Sequence, residues 1–496
     1  MHPSTSISSR HSRRSLRVIV VAMLVTALAA CVNYRGIRSD SHPASIDDYS
    51  AAVSIPTQGG AWPAMDWSER FGDPQLTALI NEAVANSPTL AEAKARVEKA
   101  SAYTEQAHAA IGPKADVKYA FTREHLSGNT YLPPPVGNSW QSENSLTLGA
   151  SYELDLWGKN HEALRSAISE RKAAEAEEQQ ARLILSTSVA HAYVHLALLY
   201  ALRDVAQNEV ASRTSIGSLT QARVQTGLDN EVESRTVDVT INATQTDVSE
   251  LDGKIATTRY QLAALLGKGP DRGLQITRPV LLDASDDALP SSLPADLLSR
   301  RPDVVAAHWR IDATGHDVKV AKADFFPDIN LVAAFGYDAF GWGHLFDASS
   351  RQVQAGPAIH LPLFDGGALR AQLKDRYADY DQAVAAYDQT LVGALNEVAT
   401  QVAAIRAVEQ QQTTAQRAYD ASRRAYDLEI IRYKAGLDPQ LQVLSADVAR
   451  LEQSQRIATL RMQRLDAQIA LIQSLGGGYT TSSNDVAAIN RVAASP

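Results

Sequence analysis

His191 and His195 stand four residues apart, a spacing that sets two imidazoles on one helix face and supplies half of a zinc site. The metalloprotease version of that pattern needs Glu directly after the first His, and Ala192 stands there instead. With no third ligand nearby, packing or a solvated face is the expected role, and His308 and His316 read as equally ordinary. The chain holds no phosphate-cradling Gly loop, dinucleotide pattern or nucleophile elbow. Gly476-Gly477-Gly478 follows a helix end without leading into another helix. Neither an enzyme nor a resident metal or cofactor is expected.

Chemistry at residue level centres on Cys31, the only cysteine. Residues 1–17 are polar and Arg-bearing without acids, and Val18 to Ala30 are apolar except for Thr26, the layout of a secretory signal over 1–30. The run ends in Leu28-Ala29-Ala30-Cys31, which resembles a bacterial lipobox. That resemblance implies a covalent lipid on Cys31 as the mature N-terminus. Val32 is not the Asp of inner-membrane retention, so the resemblance points to the outer membrane. The alternative is an unpaired thiol beside an ordinary cleavage site. Ser12-Arg13-Arg14-Ser15-Leu16 also resembles a twin-arginine signal faintly, so the export route stays open.

What positions the remaining residues is a duplicated architecture. Gly 27 and Pro 20 are sparse in 496 residues, and an Ala- and Gln-rich composition favours long helices. The formal charge of −9 becomes −13 once the leader arginines Arg10, Arg13, Arg14 and Arg17 are removed. Such an acidic body argues against nucleic acid. No apolar run of 18 residues follows the leader, which predicts no spanning helix, but spanning strands give a far weaker signal. Asn86-Ser87-Pro88-Thr89-Leu90 aligns with Arg300-Arg301-Pro302-Asp303-Val304, and Gly227-Leu228-Asp229 with Gly436-Leu437-Asp438 at a spacing of 209. Leu266-Gly267 and Leu475-Gly476 close the two units.

Within each unit the periods predict the elements. Helices are expected over 88–112 and 302–326, opened by Pro. Period-two alternation predicts strands over about 115–124, 145–156, 328–338 and 352–363, each near the 9 to 11 residues of a tilted membrane strand. Residues 160–226 and 368–435 lack Pro and carry one Gly each. They predict helices of roughly 100 Å at 1.5 Å per residue. Gly227 and Gly436 suit the left-handed position after a helix, and Asp229 and Asp438 the cap of the returning helices 229–266 and 439–475. Pro439 suits the first helical position. Trp157 and Trp342, near strand ends, fit either an interfacial belt or simple packing. The division expected is a lipidated extended segment 31–70, a first repeat 71–270, a linker 271–290, a second repeat 291–478 and a loose tail 479–496.

Four strands with one apolar face cannot close a barrel in one chain, because single-chain bacterial barrels start at eight and an open edge is not tolerated in lipid. Oligomerisation is therefore required. Phe71-Gly72-Asp73-Pro74-Gln75-Leu76, Arg300-Arg301-Pro302-Asp303-Val304, Ala323-Asp324-Phe325-Phe326-Pro327 and Leu361-Pro362-Leu363-Phe364-Asp365-Gly366-Gly367 carry a specific resemblance. From Cys31 to Gly478 the chain resembles the TolC-like outer-membrane efflux proteins, in the lipoprotein branch that partners resistance-nodulation-division pumps. The resemblance implies a mainly α fold with a β-barrel portion, and a homotrimer forming a 12-strand barrel above a 12-helix tunnel closed at its periplasmic tip. It also implies an inner-membrane pump, a periplasmic adaptor and outer-membrane lipid as partners. Its function would be a passive exit duct for drugs or other small toxic compounds, with type I protein secretion or a lipid-anchored adaptor as alternatives. The gate is implied at the Gly227 and Gly436 hairpins. Glu233 and Gln442 match two acidic gate positions, Ser445 a third, and Tyr433 the gate tyrosine. Gln442 and Ser445 have lost the carboxylate and Asp438 stands in place of a basic partner, so hydrogen bonds rather than salt bridges are expected there.

Overall fold

The computed structural model describes residues 33–45, 49, 51, 53–55, 59–129, 132–282 and 293–481. The leader, Cys31, the end of the expected linker and all but the start of the expected tail lie outside them. In chain order the regular elements are α1 (Pro74–Asn86), α2 (Pro88–Ile111), β1 (Lys114–His125), β2 (Trp140–Glu153), α3 (Lys159–Gln225), α4 (Glu231–Leu265), α5 (Asp271–Leu274), α6 (Leu293–Arg300), α7 (Pro302–Ala323), β3 (Asp328–Phe340), β4 (Arg351–His360), α8 (Ala368–Lys434) and α9 (Gln440–Ser474). The duplication is exact in length for the hairpin helices: α3 and α8 have 67 residues each, α4 and α9 35 each.

The chain divides into two compact units. One comprises Met1–His42, Glu98–Lys172 and Trp309–Ala386 and contains the sheet. Its strands follow the order β1-β2-β3-β4, all antiparallel. Register places Val117 opposite Leu148, Leu148 opposite Phe335, and Phe335 opposite Val353. Because side chains alternate across a strand, one face becomes a continuous apolar surface, with Val117, Leu148, Phe335, Val353 and Ile359 exposed. The opposite face carries Asp116, Glu143, Thr147, Asp338 and Gln354. Gly336 permits the close pairing of β2 and β3, since a Cβ there would meet the Leu146 carbonyl oxygen at 2.4 Å.

Three strand boundaries differ from expectation by three residues or more, among them the end of β2 at Glu153 rather than 156, and two have identifiable reasons. β2 begins at Trp140 rather than 145 because polar Asn144 interrupts the apolar alternation. Asn144 is fully buried, and its Oδ1 accepts the Tyr119 hydroxyl at 3.0 Å. β4 ends at His360, before Pro362, which has no N–H to extend the ladder.

At the strand bases, Asp155 accepts the His161 backbone N–H at 2.9 Å and Asp365 accepts that of Gly367 at 2.9 Å. The repeated Asp of the Trp-Gly and Phe-Asp-Gly segments thus opens the long helices. Trp157 stacks on Phe326 at 4.7 Å and donates to the Pro327 carbonyl at 2.8 Å. In the same unit the segment after Cys31 lies along α8: Tyr34 packs edge-on against Phe325 at 5.6 Å, and Arg370 donates to the carbonyls of Asn33 and Arg35.

The second unit, Pro43–Val97, Ala173–His308 and Tyr387–Pro496, holds the main core. Leu76, Leu79 and Ala83 of α1 pack with Val189, Tyr193 and Leu196 of α3, Leu262 of α4, and Leu465 and Ile469 of α9. The Phe71-to-Leu76 motif proves architectural. Phe71 is buried, Gly72 adopts φ 68°, and Asp73 caps α1 through the Gln75 N–H while accepting the Tyr193 hydroxyl at 2.6 Å. In the second repeat Arg301 is buried between Asp303 at 2.6 Å and Glu397 at 2.7 Å and donates to the Ser474 carbonyl. Both long helices contain an 18-residue window apolar enough for a membrane by length and composition alone, although neither holds an unbroken run of 18 apolar residues. In α3 this stretch supplies core residues such as Val189 and Leu196.

Candidate gate at the helix-hairpin turns

The turn glycines have φ 77° at Gly227 and 74° at Gly436, the left-handed region that glycine enters without strain. In both turns the next leucine returns a backbone bond to an arginine six positions before the Asp: Leu228 N–H to the Arg223 carbonyl at 2.9 Å, and Leu437 N–H to the Arg432 carbonyl at 3.0 Å. This closes the last turn of α3 and of α8.

Asp229 and Asp438 are not helix caps. Asp229 takes a two-pronged ion pair from Arg223 at 2.8 and 3.0 Å, and Asp438 is paired in the same way by Arg432. With Asp229 engaged, α4 starts two residues later at Glu231 and is capped by Asn230, whose side chain accepts from Val232 and Glu233 while Glu233 accepts the Asn230 N–H at 2.6 Å. Glu233 therefore completes a capping box. Pro439 sits at the cap of α9 rather than within its first turn. Gln442 and Ser445 are exposed on α9.

Around Asp229 the two hairpins of one chain meet. The fully buried Tyr433 donates its hydroxyl to Asp229 at 2.5 Å, and the Arg223 guanidinium lies over its ring at 4.5 Å and donates to its carbonyl at 3.0 Å. Thr220 is 3.1 Å from the Tyr433 hydroxyl and accepts from Gln440 at 2.6 Å. Ile216, Val237 and Val443 close the cluster on its apolar side. Hydrogen bonds from Arg223 hold the Asp229 carboxyl below the usual range, while burial and the Asp229 charge push the Tyr433 phenol up to about 12. The expectation of a gate without salt bridges is corrected: each turn has one, and the acid comes from the turn itself. Arg223, Arg432, Thr220, Gln440 and Asn230 escaped the sequence reading. The repeat offered a signal, because Arg-x5-Asp recurs at 223–229 and 432–438 with the same 209 spacing as the turns.

His191 and His195 form no metal centre with a third ligand among the described residues, and His191 faces Asp466 at 2.5 Å. His316 bridges Glu162 and Asp312.

A family model described as outer membrane efflux protein matches residues 79–268 and 293–477. The chain belongs to that family. This efflux protein is 37% identical over 364 residues to the fusaric acid resistance protein FusA of Burkholderia cepacia, covering 72% of the chain and 68% of that relative. It is 29% identical over 478 residues to the multidrug resistance outer membrane protein MdtP of Escherichia coli, covering 94% and 98%. Among solved structures, the outer membrane protein VceC of Vibrio cholerae superposes with a TM-score of 0.79 at 36% identity over 84% of this chain and all of that one. The fold is TolC-like, and the efflux protein is an outer-membrane channel subunit whose four-stranded sheet is its membrane portion.

Proposed function

We propose that this efflux protein assembles as a homotrimer and serves as a passive exit duct for drugs or other small toxic compounds in a tripartite system. The observation that carries the assembly is the sheet. Its apolar face is continuous over four strands, yet β1 and β4 each have only one partner strand among the described residues. In lipid those edges require other strands, and three copies supply a closed set of twelve. Relatives named for multidrug and fusaric acid resistance support a small-molecule cargo. A lipid on Cys31 would add an anchor, and Cys31→Ser is expected to abolish lipid labelling and lower export while folding is retained.

The turns form the gate in this reading. Exposed Leu228, Val232 and Val239 on the first hairpin recur as Leu437, Leu441 and Val448 on the second, so a trimer would offer six similar apolar stripes to a periplasmic adaptor that links it to an inner-membrane pump. The deciding experiment is the native mass of the detergent-purified protein together with its conductance in a planar bilayer. A trimer with stepwise channels, more conductive in Asp229→Asn/Tyr433→Phe, is expected. A monomer without conductance in either form would overturn the reading.

A further inference from the structure

Nearer the middle of the helices, away from the turns, lies a second polar tie that the duct does not need for lining. Glu209 and Arg213 of α3 meet Asp447 and Arg450 of α9 in a closed ring of alternating acidic and guanidinium groups. Arg213 Nε donates to Glu209 at 2.8 Å and to Asp447 at 3.2 Å, and Arg450 Nη2 donates to Glu209 at 2.6 Å and to Asp447 at 2.8 Å. The two carboxylates are 1% and 0% exposed. The ring reaches the other two helices as well. Arg213 donates to the Thr240 carbonyl and to Thr244 of α4, and Arg450 lies over the Tyr426 ring of α8 at 4.7 Å.

Each guanidinium spans both acids, so opening the ring would strand charge in the interior, and breaking a buried pair is far costlier than releasing one beside water. The ties nearer the turns differ. The Arg432–Asp438 pair is partly exposed, with the arginine 52% accessible, and the more buried Arg223–Asp229 pair closes a turn within one hairpin. Between the turns and the ring the helices are joined by the apolar contacts of Ile216, Val237 and Val443 and by uncharged hydrogen bonds of Thr220, Gln440, Ser212 and Tyr426. We infer that the Glu209–Arg213–Asp447–Arg450 ring is the fulcrum of tip movement, a fixed tie between the two hairpins of a chain that confines opening to the helical turns between it and Gly227 and Gly436.

This rests on the reading of the turns as the gate, and the test separates the two. Labelled chains are diluted into unlabelled trimers, with spin labels either at Glu231→Cys and Leu441→Cys near the turns, or at Glu250→Cys and Gln455→Cys beyond the ring. Pulsed electron resonance then reads each distance with and without Asp229→Asn/Tyr433→Phe. The near-turn distance is expected to lengthen and the far distance to keep its value; a far distance that lengthens in step overturns the fulcrum. In Glu209→Gln/Arg450→Gln, which leaves Arg213 and Asp447 balanced, the far distance is expected to broaden. Should that double variant not assemble, Arg450→Lys keeps the charge and loses the guanidinium that lies over the Tyr426 ring. A far distance unchanged in the ring variant overturns the ring's role whatever the turns do. Broadening there, without a conductance gain in the Asp229→Asn/Tyr433→Phe channel, overturns the gate reading alone.

Discussion

At Asp229 three donors converge on one carboxylate, and their loss should be graded. Tyr433→Phe removes a hydrogen bond to a charged acceptor, worth about 1.5–3 kcal/mol. Arg223→Ala removes the fork and leaves a nearly buried acid without its cation, so the larger rise in closed-state bilayer conductance is expected there. The pH dependence follows from the depressed carboxyl. Its stabilisation of the closed turn is complete above the ordinary value of 3.8 and fades as the pH falls through the still lower value in the folded chain. Conductance recorded downward from neutral pH should therefore stay flat to about that point. Tyr433 works in the opposite direction: its phenol should remain protonated past pH 10, up to about 12, which ultraviolet difference titration reads directly. These residues show the limit of reading a sequence. Gly227, Gly436 and Tyr433 were legible, and Arg223 lay one repeat comparison away. That Tyr433 would reach Asp229 across 204 positions was not, because no local period encodes which helix neighbours which.

Among the elements, the hairpin helices were the most legible, since a long stretch without Pro and nearly without Gly admits few other structures. Their starts were misplaced by two residues or fewer because Asp229 and Asp438, good cap residues by type, are held by arginines. The short helix α1 is not among the expected elements although Leu76, Leu79, Ile80 and Ala83 follow helical spacing, because a segment of 13 residues gives a weaker period than the long helices do. At the turns, Gly436→Ala should cost about 1 kcal/mol by forcing a Cβ into the left-handed region, with open space around it, and should lower the thermal midpoint slightly without preventing assembly. Gly336→Val differs in kind. Its side chain would collide with the β2 backbone, so loss of the β2–β3 pairing and of trimer on native gels is expected.

For the whole molecule, the sheet's face and its edges make opposite demands on solvent: the apolar face needs lipid, while backbone groups at an edge cannot be left in it. A chain of this kind reaches its working state in company, which also explains why the strand signal looked weak when read along one chain. Each strand contributes only half of a face, and the closure that gives it meaning depends on neighbours from other chains.

The unclosed sheet edges also have a genetic consequence. If three chains close one barrel, a variant that folds to the point of joining but cannot pair at β1 or β4 is included in assemblies and spoils them. In a cell making such a variant and the intact chain equally and mixing them freely, about one assembly in eight would be wholly intact. Resistance should then fall far below the half expected from gene dosage, making edge lesions dominant, whereas lesions that stop the chain from folding at all would be silently complemented.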